Sequence, residues 1–140
     1  MTFPNSSVSS SMINGFLVAV LLILTTFTVA FGDTHKTYEE ALAASARNNK
    51  SVLVVFGAKW CNPCKQLDFE IKNNPSIKAE LNSFNMVHID IDDSPALARK
   101  YEVGSVPKIV VADKTGRKLH LKNGYLPADN ISGWLRANRK

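Results

Sequence analysis

The sequence predicts an α/β fold in which helices flank a mixed central sheet, preceded by an N-terminal hydrophobic segment. After residue 32, the patterns alternate in the order helix, strand, helix, strand, helix, strand, strand, helix. Strands separated by a helix run parallel, whereas the last two, joined by a short turn, form an antiparallel hairpin. These two observations together predict a sandwich with a mixed sheet at its centre.

The first half of the domain predicts a helix, a buried strand and a long interrupted helix. Residues 37–40 (TYEE) have the spacing of a capping box, which begins a helix over 38–47. Residues 51–57 (SVLVVFG) form a β-branched apolar run, typical of a strand buried on both faces. Apolar residues then recur at helical spacing over 65–81, and residues 73–75 (NNP) predict a kink or break within that helix.

The second half predicts three strands and two helices. Residues 85–91 (NMVHIDI) alternate as a strand does, and residues 113–116 (DKTG) have the composition of a hairpin turn. The remaining predicted elements are a short helix over 94–101, strands over 108–112 and 117–122 on either side of the turn, and a closing helix over 129–138.

The N-terminal segment predicts that the chain is targeted to a membrane. Residues 1–32 carry no charged side chain, and residues 13–31 are almost wholly apolar. About 20 apolar residues cross a bilayer, so one hypothesis is an uncleaved single-span anchor. The other is a signal peptide, since residues 30–32 (AFG) place small residues at a cleavage site before Asp33. We expect the domain over 33–140 to be exported, membrane-anchored or periplasmic, with a cytoplasm-facing domain as the alternative.

The basic charge of the chain does not predict a nucleic-acid surface. The net charge is +5, and all the excess Lys and Arg lies after residue 32. These side chains are mostly scattered along the sequence, whereas nucleic-acid binding needs a continuous basic stripe. We therefore expect no nucleic-acid partner.

The two cysteines are the candidate functional residues. Cys61 and Cys64 are separated by two residues and follow the predicted strand 51–57. Such a pair closes a small ring and stores two electrons reversibly. A purely structural disulfide and half of a zinc site are the alternatives, although the three histidines show no paired ligand spacing. Haem attachment needs a histidine where Lys65 stands. We expect no metal and no organic cofactor.

Three short motifs lie at the starts of predicted helices or strands. Residues 60–65 (WCNPCK) follow a strand and open a helix, Val106-Pro107 precedes a strand, and Asn123-Gly124 precedes the last helix. On these motifs, residues 35–140 resemble the thioredoxin superfamily, most of all its exported or membrane-tethered thiol:disulfide interchange proteins. The resemblance implies a thioredoxin-like sandwich and a disulfide reductase or electron carrier.

The resemblance also assigns roles to the motif residues. Cys61 is the implied nucleophile, because a helix N-terminus favours its thiolate, and Cys64 is the implied resolving thiol, one turn in and less exposed. Trp60 would shield one side of the sulfurs, and Pro63 fits the first helical turn. A cis bond at Val106-Pro107 would hold an extended substrate chain beside the sulfurs.

The implied partners are a disulfide-containing protein substrate and an upstream thiol-disulfide electron donor, together with the membrane if residues 13–31 are not cleaved. Two alternatives remain open. One is a peptide-binding or chaperone module of the same fold without essential redox turnover. The other is a specialised reductant for cytochrome or metal-site assembly, which differs only in its partner.

Two positions depart from the thioredoxin pattern. Thioredoxins usually have a buried aspartate six residues before the first cysteine, which relays protons to the second, and this chain has Val55 there. Either water or another group then relays the proton, or proton transfer is slower. The central Asn62-Pro63 also replaces the usual Gly-Pro. Lys59 and Lys65 flank the cysteine motif and are expected to add positive charge near Cys61. His88, on the predicted strand 85–91, is expected to be an ordinary surface or edge residue.

Overall fold

The computed structural model describes residues 34–139, which form one five-stranded sheet with helices packed against it. The strands are β1 (Thr34–His35), β2 (Ser51–Gly57), β3 (Phe84–Asp90), β4 (Lys108–Ala112) and β5 (Lys118–Asn123). The helices are α1 (Tyr38–Asn48), α2 (Asn62–Asn73), α3 (Pro75–Leu81), α4 (Pro95–Lys100) and α5 (Ala128–Asn138). The α/β class and the predicted order of elements are confirmed, and the two-residue β1 is an addition.

The sheet has the order β1-β3-β2-β4-β5. β1 and β2 both run parallel to β3, whereas β4 runs antiparallel to β2 and β5 antiparallel to β4. The sheet is therefore mixed, as the sequence predicts. In the β2–β3 register Val55 stands directly beside His88, a pairing that matters for the site described below.

The core is divided between the two faces of the sheet. On one face, α2, α3 and α5 pack Leu67, Ile77 and Leu135 against the sheet, and Trp134 packs there partly buried. On the other face, α1 and the loop after α4 pack against the sheet, with Tyr101 fully covered. Each such buried side chain contributes about 1.5–3 kcal/mol. Because β2 lies between these layers, its side chains are buried on both faces.

The helix interruption occurs at Asn74, as residues 73–75 predict. The Asn74 side chain accepts hydrogen bonds from the backbone N–H groups of Ser76 (2.9 Å) and Ile77 (3.3 Å). Pro75 takes the first helical position, where an N–H is not needed. The first of the two helices starts at Asn62 rather than at Lys65, so the cysteine motif itself forms its amino end.

The segment over residues 1–32 lies outside the described residues. The signal-peptide and anchor hypotheses, and the domain boundary at residue 33, therefore stay predictions. Among the helices of residues 34–139, none combines the length and apolar character that a membrane crossing requires.

Candidate active site

Cys61 and Cys64 form a disulfide at the amino end of α2, with their Cα atoms 5.3 Å apart. Cys61 is the N-cap residue, and its Sγ accepts a hydrogen bond from the Cys64 backbone N–H at 3.2 Å. Pro63 lies in the first turn of the helix, where its missing N–H costs nothing. When the bond is reduced, the same N–H and the helix dipole favour a thiolate at Cys61.

Both cysteines are buried in this disulfide form. Cys61 is 4% exposed and Cys64 is 5% exposed, in a small cluster with Ala58 against which Ile91 and Val106 pack. The two cysteines are about equally covered in the disulfide form, so exposure does not separate them there. What distinguishes the two cysteines is their position on the helix, because only Cys61 lies at the cap.

The Val106-Pro107 motif lies beside the disulfide, and the Asn123-Gly124 motif contacts that loop. The Val106–Pro107 peptide bond is cis, as the resemblance implies. Pro107 lines a cavity together with Cys64. The Pro107 carbonyl accepts a hydrogen bond from the Gly124 N–H at 2.8 Å. Gly124 has a φ of 76°, a left-handed conformation that glycine adopts without strain. The three motifs that carry the resemblance thus lie at one site.

Trp60 presents a large apolar surface next to the cysteines. Trp60 is 66% exposed. Its indole N–H donates a hydrogen bond to Asp92 Oδ2 at 2.9 Å. The hydrogen bond ties the ring to the loop after β3. Its role as a cover for the sulfurs stays a prediction.

Lys59 does not supply a free positive charge to Cys61. Its Nζ lies 3.1 Å from Asp93 Oδ2, and this hydrogen bond and charge, with Asp90 and Asp92 nearby, raise the pKa of Lys59. The positive charge expected from Lys59 near Cys61 is therefore offset by Asp93, which lies in an acidic loop that is remote in sequence. The ion pair is exposed, so it adds little to stability.

A cavity of about 230 Å³ lies against Cys64. Its wall includes Val55, which is 3% exposed and apolar, together with Asp68 from α2 and His88 from β3. His88 Nδ1 lies 3.2 Å from Asp68 Oδ1. The sequence predicts a surface or edge residue at His88, and within residues 34–139 β1 pairs with β3 only at Met86 and Val87, so His88 is half-buried with no strand partner on that side. What the sequence does not show is the Asp68 partner on α2.

The electrostatic surroundings keep His88 neutral. Burial lowers the pKa of His88 below its ordinary value, Asp68 opposes this effect, and Lys72 adds to it. A neutral imidazole at physiological pH can accept a proton. The sequence alone assigns no role to this side chain, although its place in the alternating strand 85–91 puts it on the same face as Met86.

The site has no evident metal-binding geometry. Within residues 34–139, no group of three or more histidine, cysteine, aspartate or glutamate side chains is arranged to hold a metal ion. The reactive atoms are two sulfurs that are joined to each other and placed at a helix cap. The chemistry that such an arrangement performs is thiol–disulfide exchange.

Comparison with known proteins gives a consistent result. A family model described as a thioredoxin-like domain matches residues 38–139. The thioredoxin of Chlamydia trachomatis serovar D is 34% identical over 80 residues, which cover 57% of this chain and 74% of that protein. The thioredoxin of Rickettsia bellii is 30% identical over 106 residues, which cover 75% of this chain and 94% of that protein.

A solved structure shows the same arrangement of elements. The solution structure of a thioredoxin from Thermus thermophilus superposes with a TM-score of 0.66 at 25% sequence identity. The superposition covers 75% of this chain and 85% of that chain. The similarity therefore extends over most of the region that contains the disulfide, the cis-proline loop and Gly124.

Proposed function

The chain belongs to the thioredoxin superfamily, and we propose that it works as a disulfide reductase or electron carrier through the Cys61–Cys64 pair. Thiol:disulfide oxidoreductase activity follows from its thioredoxin relatives and from the disulfide between the two cysteines. The observation that carries the proposal is the placement of that disulfide, with one sulfur at a helix cap. The direction of electron flow is the part of the proposal that the redox potential of the pair tests.

The proposed reaction has two exchange steps. In the first, the Cys61 thiolate attacks a substrate disulfide, a Cys61–substrate bond forms, and one substrate sulfur leaves as a thiolate. In the second, the Cys64 sulfur attacks Cys61 Sγ, the Cys61–Cys64 bond closes, and the second substrate sulfur leaves. Two electrons pass to the substrate. An upstream thiol-disulfide donor then returns the pair to the dithiol form.

The helix geometry supports this division of roles. Cys61 Sγ already accepts the Cys64 N–H at 3.2 Å, so a developing thiolate at Cys61 finds a donor in place. Cys64 lies within the first turn, close enough to form the bond that the structure contains. Cys61 is therefore the proposed nucleophile and Cys64 the proposed resolving thiol.

We also propose that an extended substrate chain lies along the cis-proline loop. Val106 packs against the cluster formed by Ala58 and the two cysteines. A polypeptide that pairs with the Val106 backbone as an added strand would bring its disulfide next to Cys61. The exposed ring of Trp60 would offer such a chain an apolar contact.

The equilibrium redox potential of the pair tests the direction of electron flow. We expect a value below about −200 mV, since a pair that reduces protein disulfides has a potential in the range of glutaredoxins and thioredoxins rather than of oxidants. The full-length protein is equilibrated with glutathione or dithiothreitol buffers, and the dithiol fraction is measured by alkylation and mass spectrometry. A potential above about −180 mV, as in disulfide isomerases and oxidants, would contradict the reductase proposal.

We propose further that residues 33–140 act outside the cytoplasm. The supporting observations are the uncharged residues 1–32 and the apolar run 13–31. We expect the full chain either in the membrane fraction at full mass, which indicates an anchor, or exported and beginning at Asp33, which indicates a signal peptide. Cell fractionation with N-terminal sequencing distinguishes these fates.

Two variants sharpen this localisation experiment. Leu22→Arg places a charge within the apolar run and costs about 2.5–3.5 kcal/mol for insertion, so it should reduce membrane targeting. Leu22→Ile keeps the apolar character and should leave the targeting unchanged. Wild-type protein that remains full-length in the cytoplasmic fraction would contradict the proposal.

A further inference from the structure

Closure of the Cys61–Cys64 bond requires a base. The attacking species is the Cys64 thiolate rather than the thiol, so its proton must leave. Even in the closed form Cys64 is only 5% exposed, which limits its access to bulk water. Val55 occupies the position where thioredoxins usually have a carboxylate, and its side chain accepts no proton. Water or a group other than Val55 has to take this proton.

The strand register places His88 beside that position. Val55 and His88 are direct partners in the parallel β2–β3 ladder. Side chains of paired residues on adjacent strands project from the same face of a sheet. His88 therefore faces the same layer as Val55, and both line the cavity that borders Cys64.

The helix supplies the partner of His88. Asp68 lies four residues after Cys64 on α2, so the two side chains lie on the same face of the helix. Asp68 Oδ1 lies 3.2 Å from His88 Nδ1, and Cys64, Asp68 and His88 line one cavity. The nearby carboxylate favours the neutral tautomer with its proton on Nδ1, which leaves Nε2 as the basic nitrogen of the ring.

We propose that His88, oriented by Asp68, accepts the proton of the Cys64 thiol through water in this cavity. The inference rests on the dithiol mechanism proposed above. A volume of about 230 Å³ holds several water molecules, and His88 and Asp68 are among the residues that line it. The pair takes over the proton transfer that a carboxylate at position 55 would otherwise perform.

The proton and electron pair are accounted for in the resolving step. The Cys64 S–H proton passes through water to His88 Nε2, which leaves an imidazolium paired with the Asp68 carboxylate. The Cys64 sulfur attacks Cys61 Sγ, the Cys61–Cys64 bond forms, and the Cys61–substrate bond breaks. The substrate sulfur leaves with the electron pair. His88 then returns its proton to the departing thiolate or to solvent.

Charged groups on several elements act on His88. Burial has the largest effect on its pKa and lowers it, Asp68 raises it, and Lys72, also on α2, lowers it. The other charged side chains of the shared cavity are Lys59, Lys65 and Asp90. His88 also borders a second cavity, and the charged residues that line it include Lys36, Glu39, Asp93 and Lys100. The balance of these effects leaves the ring neutral and able to accept a proton at about pH 7.

A two-phase reaction of the reduced full-length protein tests the inference. The reagent is dithiobis(nitrobenzoate), a chromogenic aromatic disulfide. It releases one coloured thiolate when Cys61 attacks it and a second when Cys64 resolves the mixed disulfide. Because this leaving group needs no proton, the second phase reports deprotonation of Cys64. We expect its rate in the wild type to rise with pH as His88 loses its proton, with a midpoint below the ordinary histidine pKa of about 6.5.

The variants separate a proton acceptor from a structural side chain. His88→Gln should slow the second phase about 10²-fold at about pH 7 and remove the pH midpoint. Asp68→Asn should move the midpoint to lower pH, because Asp68 raises the pKa of His88. Neither variant should slow the first phase. His120→Gln makes the same chemical change at an exposed residue of β5 and should leave both phases unchanged.

Specific outcomes would overturn the inference. An unchanged second phase in His88→Gln, or equal slowing of both phases, would exclude His88 as the acceptor for Cys64. If the wild type itself shows no second phase, the proposed dithiol mechanism fails. If the wild type shows both phases and His88→Gln behaves like it, only the role of His88 fails.

Discussion

Cys61→Ser will reduce the turnover of a disulfide substrate such as insulin to the uncatalysed background, and Cys64→Ser will accumulate mixed disulfides. Serine at position 61 provides no thiolate at the helix cap, so the first exchange cannot begin. In Cys64→Ser the attack by Cys61 still occurs, but nothing closes the bond to Cys61 Sγ. Turnover is measured by insulin precipitation, and the trapped species are identified by non-reducing electrophoresis and mass spectrometry.

The same pair of variants separates catalysis from peptide binding. A chaperone or peptide-binding module would keep its function in Cys61→Ser, because the surface near Val106 and Trp60 is unchanged. The matched control is the reduced wild-type protein, which lacks the disulfide as both variants do. Trapping by Cys61→Ser rather than Cys64→Ser, or no trapping in either variant, would contradict the assignment of nucleophile and resolving thiol.

Elements with strong local patterns were predictable from the sequence. The apolar run over residues 51–57 became β2, since a β-branched segment of this length packs well when it is buried on both faces. The break before Pro75 was predictable because proline has no N–H and Asn74 caps the next helix. β1 was not predictable, because it has two residues and exists only through pairing with β3.

The candidate site was predictable where its motifs are local in sequence. Residues 60–65 predict a helix that begins at the cysteines, and the structure places Cys61 at the cap. The pairing of Lys59 with Asp93 and of His88 with Asp68 was not predictable. These contacts join residues that only the β2–β3 register and the packing of α2 bring together, and no short segment contains that information.

Val55→Asp tests whether position 55, beside His88, is buried. The measured quantity is the change in the free energy of unfolding. Val55 is 3% exposed and packs in the core with Leu53, Leu67 and Ile109. Burial raises the pKa of a carboxyl group above its unfolded value of about 3.9. The penalty for ionisation is therefore absent below that pH and grows as pH rises to the folded pKa. A folded pKa of about 6 would destabilise the protein by about 3 kcal/mol at about pH 8, since a tenfold change in acid strength corresponds to about 1.4 kcal/mol.

Urea unfolding of the oxidised protein at about pH 4 and about pH 8 measures this difference in the free energy of unfolding. Val55→Thr is the matched control, because its hydroxyl is polar but does not titrate, so its cost should be the same at both pH values. The carboxylate that Val55→Asp introduces also faces the Cys64 cavity. In a His88→Gln background it should restore part of the second-phase rate, since it supplies a base where thioredoxins have one. An equal cost of Val55→Asp at both pH values would show that burial at position 55 does not raise the pKa of the introduced carboxyl group, which would contradict the burial of Val55 at 3% exposure.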